Sequence, residues 1–195
     1  SRQPYTAVVW YHLALTYRKL NQLGAALEAY DYALVIQEEF VSAHFQKGLL
    51  LLEQQRFQEA LPCLLQTSHL NPQDLHTLYH IAECFEQLDM LRDAMRYYRQ
   101  VAKLDPDYVD AWIGIGFCLE RRDKHYEAIH YYEKAFQLDP DNPDLCLSLA
   151  ICEYRIEHHH NAYFYMERAL GLSPHDPNIW QDWAQVLYDN HNYSG

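Results

Sequence analysis

Residues 110–140 read DAWIGIGFCLERRDKHYEAIHYYEKAFQLDP. Trp112, Ile115, Gly116 and Leu119 fall at helical spacing, and after a polar gap Ala128, Tyr132 and Ala135 do so again. Pro140 then stops the second helix. The stretch is a helix–turn–helix with large side chains at fixed slots and small ones where the helices must touch. Its features recur along the chain. Pro72, Pro106, Pro140 and Pro174 are spaced by 34 residues (106 − 72 = 34). Ala26, Ala60, Ala94, Ala128 and Ala162 keep the same step, as does the small slot of the first helix at Ala14, Gly48, Ala82, Gly116, Ala150 and Ala184. An irregular helical bundle has no reason to repeat at this period in three ladders at once.

These residues resemble the tetratricopeptide repeat, whose pattern is W-x2-L-G-x2-Y, then A-x3-F, then P. The resemblance covers nearly the whole chain. It implies an all-α solenoid, a right-handed superhelix of antiparallel helix pairs, with repeats at 7–40, 41–74, 75–108, 109–142 and 143–176. The lone first helix of a sixth repeat follows at 177–192. Eleven helices (5 × 2 + 1) and no strands are expected. The repeats depart from the pattern in places. The first has Glu38 in place of its terminal proline, and the second has His44 and Lys47 where large apolar residues are usual. Pro62 reads as a first-turn proline, where the missing N–H has no helical partner to lose. The last helix carries Trp180, Trp183, Ala184 and Leu187, and residues 189–195 read as a turn toward a second helix. The chain is therefore expected to be a fragment, with an apolar strip exposed on its final helix through which copies self-associate.

Composition narrows the function. Fifteen Lys and Arg against 27 Asp and Glu give a net charge of −12. Such a chain has no general pull on phosphate backbones, so nucleic acid is not the expected partner. No apolar run reaches membrane-spanning length, so insertion is not expected. Asp110 and Asp144 suit the first turn of a helix, where a carboxylate favours the positive end of the dipole. Of five cysteines, Cys84, Cys118 and Cys152 fall one repeat apart and read as small buried hydrophobes. Without a C-x-x-C pair, reduced thiols and a cytoplasmic setting are expected. The cluster His158, His159 and His160 invites a metal reading, but a structural zinc site wants four ligands, usually with cysteines. His159 and His125 occupy a slot held by Leu23, Phe57 and Leu91 in the earlier repeats, which favours packing. No catalytic constellation, cofactor motif or metal site is read from the sequence, and the chain is not expected to be an enzyme.

The resemblance also implies where a partner lies. In such arrays the first helices line a concave face, and two slots of each point into it. Here those slots hold Tyr11 and Leu15, Phe45 and Leu49, Tyr79 and Glu83, Ile113 and Phe117, Leu147 and Ile151. All but Glu83 are apolar or aromatic, so the face either binds an apolar or aromatic segment of a partner or is buried by tight winding of the superhelix. Arg121 and Arg155, one repeat apart, are candidates to fix a carboxylate on that partner. The family's carboxylate clamp is not carried over, because its places hold Tyr11, Leu15, Gln46, His76 and His80. Nor is its asparagine ladder, since His12, Gln46, His80, Gly114 and Ser148 stand there. The expected function is a protein-interaction scaffold for a protein or peptide partner. The alternatives are a regulatory or targeting segment of an enzyme whose catalytic domain lies elsewhere, and a homo-oligomeric assembly module.

Overall fold

The computed structural model describes residues 6–192, with side chains as far as Tyr188. Among the described residues there are eleven helices and no strands. They are α1 (Ala7–Lys19), α2 (Leu23–Ile36), α3 (Val41–Glu53), α4 (Phe57–Leu70), α5 (Leu75–Gln87), α6 (Leu91–Leu104), α7 (Val109–Glu120), α8 (His125–Leu138), α9 (Pro143–Arg155), α10 (His159–Leu172) and α11 (Pro177–Asn192). The odd-numbered helices begin 34 residues apart, at 7, 41, 75, 109, 143 and 177. The chain divides into two compact units, one ending at Gln100 and the next beginning at Val101, within α6. In the first unit α1 packs on α2 and α3 on α4, with further contacts from α2 to α3, α4 to α5 and α3 to α5. In the second α7 packs on α8 and α9 on α10, and α9 also touches α7, α8 and α11.

The helices end where the sequence makes them end. Asn71, Asp139 and Ser173 each precede a proline and leave helical angles, with ψ of 82°, 82° and 70°. Asp74 and Asn142 cap α5 and α9 by accepting from the amides of Thr77 (2.9 Å) and Leu145 (3.0 Å). Asp110 and Asp144 sit in the first turns of α7 and α9. Between the helices of each pair the backbone turns through one left-handed residue: Asn21, Gln55, Asp89, Asp123 and Glu157, with φ between 57° and 66°. The next amide reaches back over five residues, as from Gln22 to the Tyr17 carbonyl (2.9 Å) and from His158 to that of Glu153 (2.9 Å). This is the Schellman closure of a helix end, made here without glycine.

Two features depart from the sequence reading. Pro62 lies well inside α4, not in its first turn. It denies the helix one internal hydrogen bond, at a typical cost of about 3 kcal/mol, and the packing of Ala60 and Leu64, both fully buried, holds the helix through it. Residues 189–192 continue α11 instead of turning, because neither glycine nor proline interrupts them. Residues 193–195 lie outside the described part.

Inside each pair a small residue of the first helix faces a large one of the second. A side chain at Gly116 would meet the Tyr132 ring at 2.5 Å, and one at Gly48 would meet Leu64 at 2.8 Å. Twelve residues separate a second pair of slots. The Tyr98 hydroxyl donates to Glu86 (2.9 Å), and the Tyr132 hydroxyl donates to Glu120 (2.7 Å). Where the second helix carries Leu64 or Met166, the facing slot holds Leu52 or Tyr154 and needs no acceptor. Tyr30 faces Arg18 instead; its hydroxyl is buried without a hydrogen-bond partner, and burial pushes its pKa up to about 12.

Candidate partner-binding face

The first helices carry the candidate side chains, and the slots behind them explain how they are held. The slot of Trp112 and Trp180 ties each helix to the loop before it. The Trp112 indole donates to the Pro106 carbonyl (2.8 Å), and that of Trp180 to the Pro174 carbonyl (3.4 Å). His44 does the same work, its Nε2 lying 2.7 Å from the Glu38 carbonyl, so the departure in the second repeat is chemically equivalent. Cys146 occupies this slot in α9, and Arg168 of α10 reaches the Pro140 carbonyl in its stead (2.9 Å). The slots next to this one in sequence hold Tyr11, Phe45, Tyr79, Ile113 and Leu147.

In the first unit, Tyr11, Leu15, Phe45, Leu49, Tyr79 and Glu83 are all half-buried. Tyr11 leans on Tyr30 (6.1 Å between centroids) and Phe40 (5.0 Å), and Tyr79 leans on Tyr98 (5.8 Å). Phe45 lies 6.3 Å from the His80 ring, which crosses from α3 to α5. Sequence reasoning named Glu83, Gln46 and His80 but passed over Arg18, Glu53 and the pairings among them. Arg18 donates to Gln46 (2.8 Å) and pairs with Glu53, and His80 Nδ1 meets Glu83 Oε2 at 2.6 Å. The signal was their position, three or four residues, about one helical turn, beyond Leu15 and Leu49 on the same helices.

In the second unit, Phe117 is 38% exposed and the Arg121 guanidinium lies 5.8 Å from its ring centroid. Ile113 and Ile151 are half-buried, and Arg155 is exposed. Leu147 is 7% exposed and belongs to the core with Cys146, Ala150 and Ile179, so it contributes packing and not accessible surface.

The histidine turn serves another purpose. Glu153 stands in a slot filled by Tyr17, Leu51, Phe85 and Leu119 in earlier repeats, and it is buried at 3% exposure. His158 Nδ1 (2.9 Å) and Asn161 Nδ2 (3.2 Å) satisfy its carboxylate, and His159 packs against Tyr154 at 4.8 Å. Among the described residues no three histidine, cysteine or acidic side chains are placed to hold a metal ion. Cys84, Cys118 and Cys152 are fully buried, and burial pushes the Cys84 thiol up to about 12.

Burial also raises the Glu120 carboxyl, against the opposing pull of the Tyr132 hydroxyl, His125, the Cys152 thiol and Arg155. A raised folded-state pKa means stability is lost as pH climbs through it, because the charged form is then held partly out of water. Glu120→Gln keeps an acceptor for Tyr132 and cannot ionise. It is expected to raise the melting temperature near neutral pH, by an amount that shrinks as pH falls toward the ordinary carboxylate range. Thermal melts of both proteins across that range check this; a gain that grows toward acid would contradict it.

Four models of the tetratricopeptide repeat match this chain, at residues 7–39, 45–89, 76–108 and 109–142. The chain belongs to the tetratricopeptide repeat family. Over 92 residues, 47% of its length, it is 32% identical to anaphase-promoting complex subunit 7 of Dictyostelium discoideum, of which the match spans 16%. Its fold is shared by MamA, at 18% identity and a TM-score of 0.82 over 86% of this chain and 92% of that one. MamA of Desulfovibrio magneticus RS-1 gives 16% and 0.81, over 88% and 97%. YrrB, a tetratricopeptide repeat protein with an unusual peptide-binding site, gives 18% and 0.79, over 95% and 92%. At these identities the likeness to solved structures is one of fold. The tetratricopeptide array is thus a scaffold of the protein-interaction kind. No described helix is long and apolar enough to cross a membrane.

Proposed function

We propose that this array docks an apolar or aromatic segment of a partner protein against its first helices. Tyr11, Leu15, Phe45, Leu49 and Tyr79 form the surface in the first unit, and Ile113, Phe117 and Ile151 form it in the second. Arg121 and Arg155, at the ends of their helices, are the basic residues beside this surface. The observation that carries the reading is the partial exposure of these large side chains, while Ala14, Leu50, Ile81, Cys84, Ile115 and Cys118 on the same helices are fully buried. Aromatic side chains in such positions give large contact area with few rotors to freeze. Nucleic acid is a poor match for a chain of net charge −12. Neither catalysis nor a cofactor is part of the reading, and thiols not joined in disulfides, four of the five buried, suit a reducing compartment such as the cytoplasm.

Capture of partners by the isolated array tests the proposal. Phe45→Ala and Phe117→Ala should each weaken capture of the same partner by at least about tenfold, the loss that corresponds to a truncation cost of about 1.4 kcal/mol or more. Binding should change little between low and high salt. Capture that survives both substitutions, or collapses on adding salt, would show that the partner uses another surface.

A second reading, membership of a multi-subunit assembly, is supported by the relative's own description as a subunit of a complex. Copies of this chain would then meet through α11, where Trp180 is 52% exposed and Tyr188 is also open. The two readings are compatible, since they use different faces.

A further inference from the structure

We infer that the face formed by α1, α3 and α5 takes its partner segment as a polyproline II helix, uncharged and with an apolar side chain once per turn. The inference rests on the docking reading above and adds the conformation of the segment.

The spacing of the rings carries it. Tyr11, Phe45 and Tyr79 hold the same slot of three first helices, one repeat apart, and all are half-buried. These helices are neighbours on this face. Arg18 of α1 donates to Gln46 of α3 (2.8 Å), and Phe45 of α3 lies 6.3 Å from the His80 ring of α5. Packed helices stand about 8–10 Å apart, so a segment crossing them meets one ring in each such step. A polyproline II helix rises about 3.1 Å per residue with three residues per turn, and presents the same side every ~9.3 Å. A β-strand presents it every ~6.7 Å and an α-helix every ~5.4 Å. Both fall out of step with the rings.

The chemistry of the face fits the same segment. Polyproline II makes no internal hydrogen bonds, so its carbonyls stay open as acceptors. Gln46 stands beside Phe45 on the middle helix, and its oxygen accepts from Arg18, which leaves its amide group to donate. Tyr11 and Tyr79 lean on the buried Tyr30 and Tyr98, at 6.1 Å and 5.8 Å between centroids. The rings are therefore set before a partner arrives, and a stiff segment docking on them has little freedom to lose. The charges match as well. Arg18 pairs with Glu53, and His80 meets Glu83 at 2.6 Å. An uncharged segment breaks neither pair and keeps docking insensitive to salt, while the net charge of −12 turns acidic segments away.

Two uncharged peptides of the same composition, blocked at both ends, test the inference. One repeats Leu-Pro-Pro three times, which puts its leucines on one side at the ring spacing. The other carries its three leucines in succession, followed by six prolines. Fluorescence anisotropy measures the binding of each to the whole chain and to its Phe45→Ala and Gln46→Leu variants, with thermal melts to check that both variants are folded. The repeating peptide is expected to bind the wild type at least about tenfold more tightly than its isomer. It should lose about tenfold at Phe45→Ala and about fivefold at Gln46→Leu, the scale of one hydrogen bond. Equal affinity for the two peptides, or no binding of the repeating one, would overturn the inference whatever the variants do. An amphipathic α-helical peptide that binds in its place and depends on Phe45 would also overturn it and leave apolar docking standing. A repeating peptide indifferent to Phe45→Ala would overturn the docking reading itself.

Discussion

Gly116→Leu is expected to destabilise the protein by about 3 kcal/mol, the upper end of the usual cost of overpacking. Any side chain at this position begins with a carbon 2.5 Å from the Tyr132 ring. That ring is fully buried and its hydroxyl is tied to Glu120, so it cannot step aside as the tip of a flexible chain would. The helices α7 and α8 must part, or the Tyr132–Glu120 bond must break. Urea denaturation followed by circular dichroism measures the loss. Gly24 is the control, because nothing lies within 4 Å of a side chain built there. Gly24→Ala should be neutral or stabilising by up to about 1 kcal/mol, since alanine is the better helix former. A Gly116→Leu protein as stable as the wild type would mean that the contact between α7 and α8 has been misplaced.

Trp183→Ala is expected to cost about 3–5 kcal/mol, the range for truncating a buried aromatic side chain. Trp183 is 6% exposed, set edge-on between Tyr154 (5.3 Å) and Tyr163 (6.0 Å). Ile179 and Val186 flank it in the same core. Trp180, three residues away, points elsewhere and is 52% exposed. Trp180→Ser should therefore change the stability by no more than about 1 kcal/mol, in keeping with surface substitutions, yet reduce self-association at high concentration. Sedimentation and thermal melting of the two variants separate these effects. Equal destabilisation by both substitutions would show that α11 has no distinct inner and outer faces.

This pair also marks a limit of the sequence. Both tryptophans belong to the repeat pattern, and both read as parts of one exposed strip. Which of them turns inward depends on α9 and α10, which offer Tyr154 and Tyr163 to one face of α11 only. The period itself was plain, because proline, alanine and the small slot each mark a different part of the hairpin. The helix starts at 7, 41, 75, 109, 143 and 177 fall on that period. Pro62 was misjudged because the start of α4 had to be guessed, and an error of a few residues converts a harmless position into an interior one. His44 looked like a loss of pattern, although its ring nitrogen performs the hydrogen bond of the missing tryptophan. Glu153 was passed over because a lone acid at an apolar slot reads as surface until His158 and Asn161 are seen beside it. Of the candidate face, the apolar members followed from the family resemblance. Leu147 did not behave as they did, and the pairing of His80 with Glu83 required coordinates.

Within each unit, every helix contact described above joins elements one or two places apart in the chain. Bringing such partners together closes only short loops, so little entropy is lost before a contact forms. Topologies of this kind belong to the fast end of the folding range. On the ribosome, where the chain emerges from its N-terminal end, α1 and α2 can associate as soon as both are free of the tunnel. Within each unit every later helix then finds its docking surface already in place, and no long unpaired segment has to wait for a distant partner.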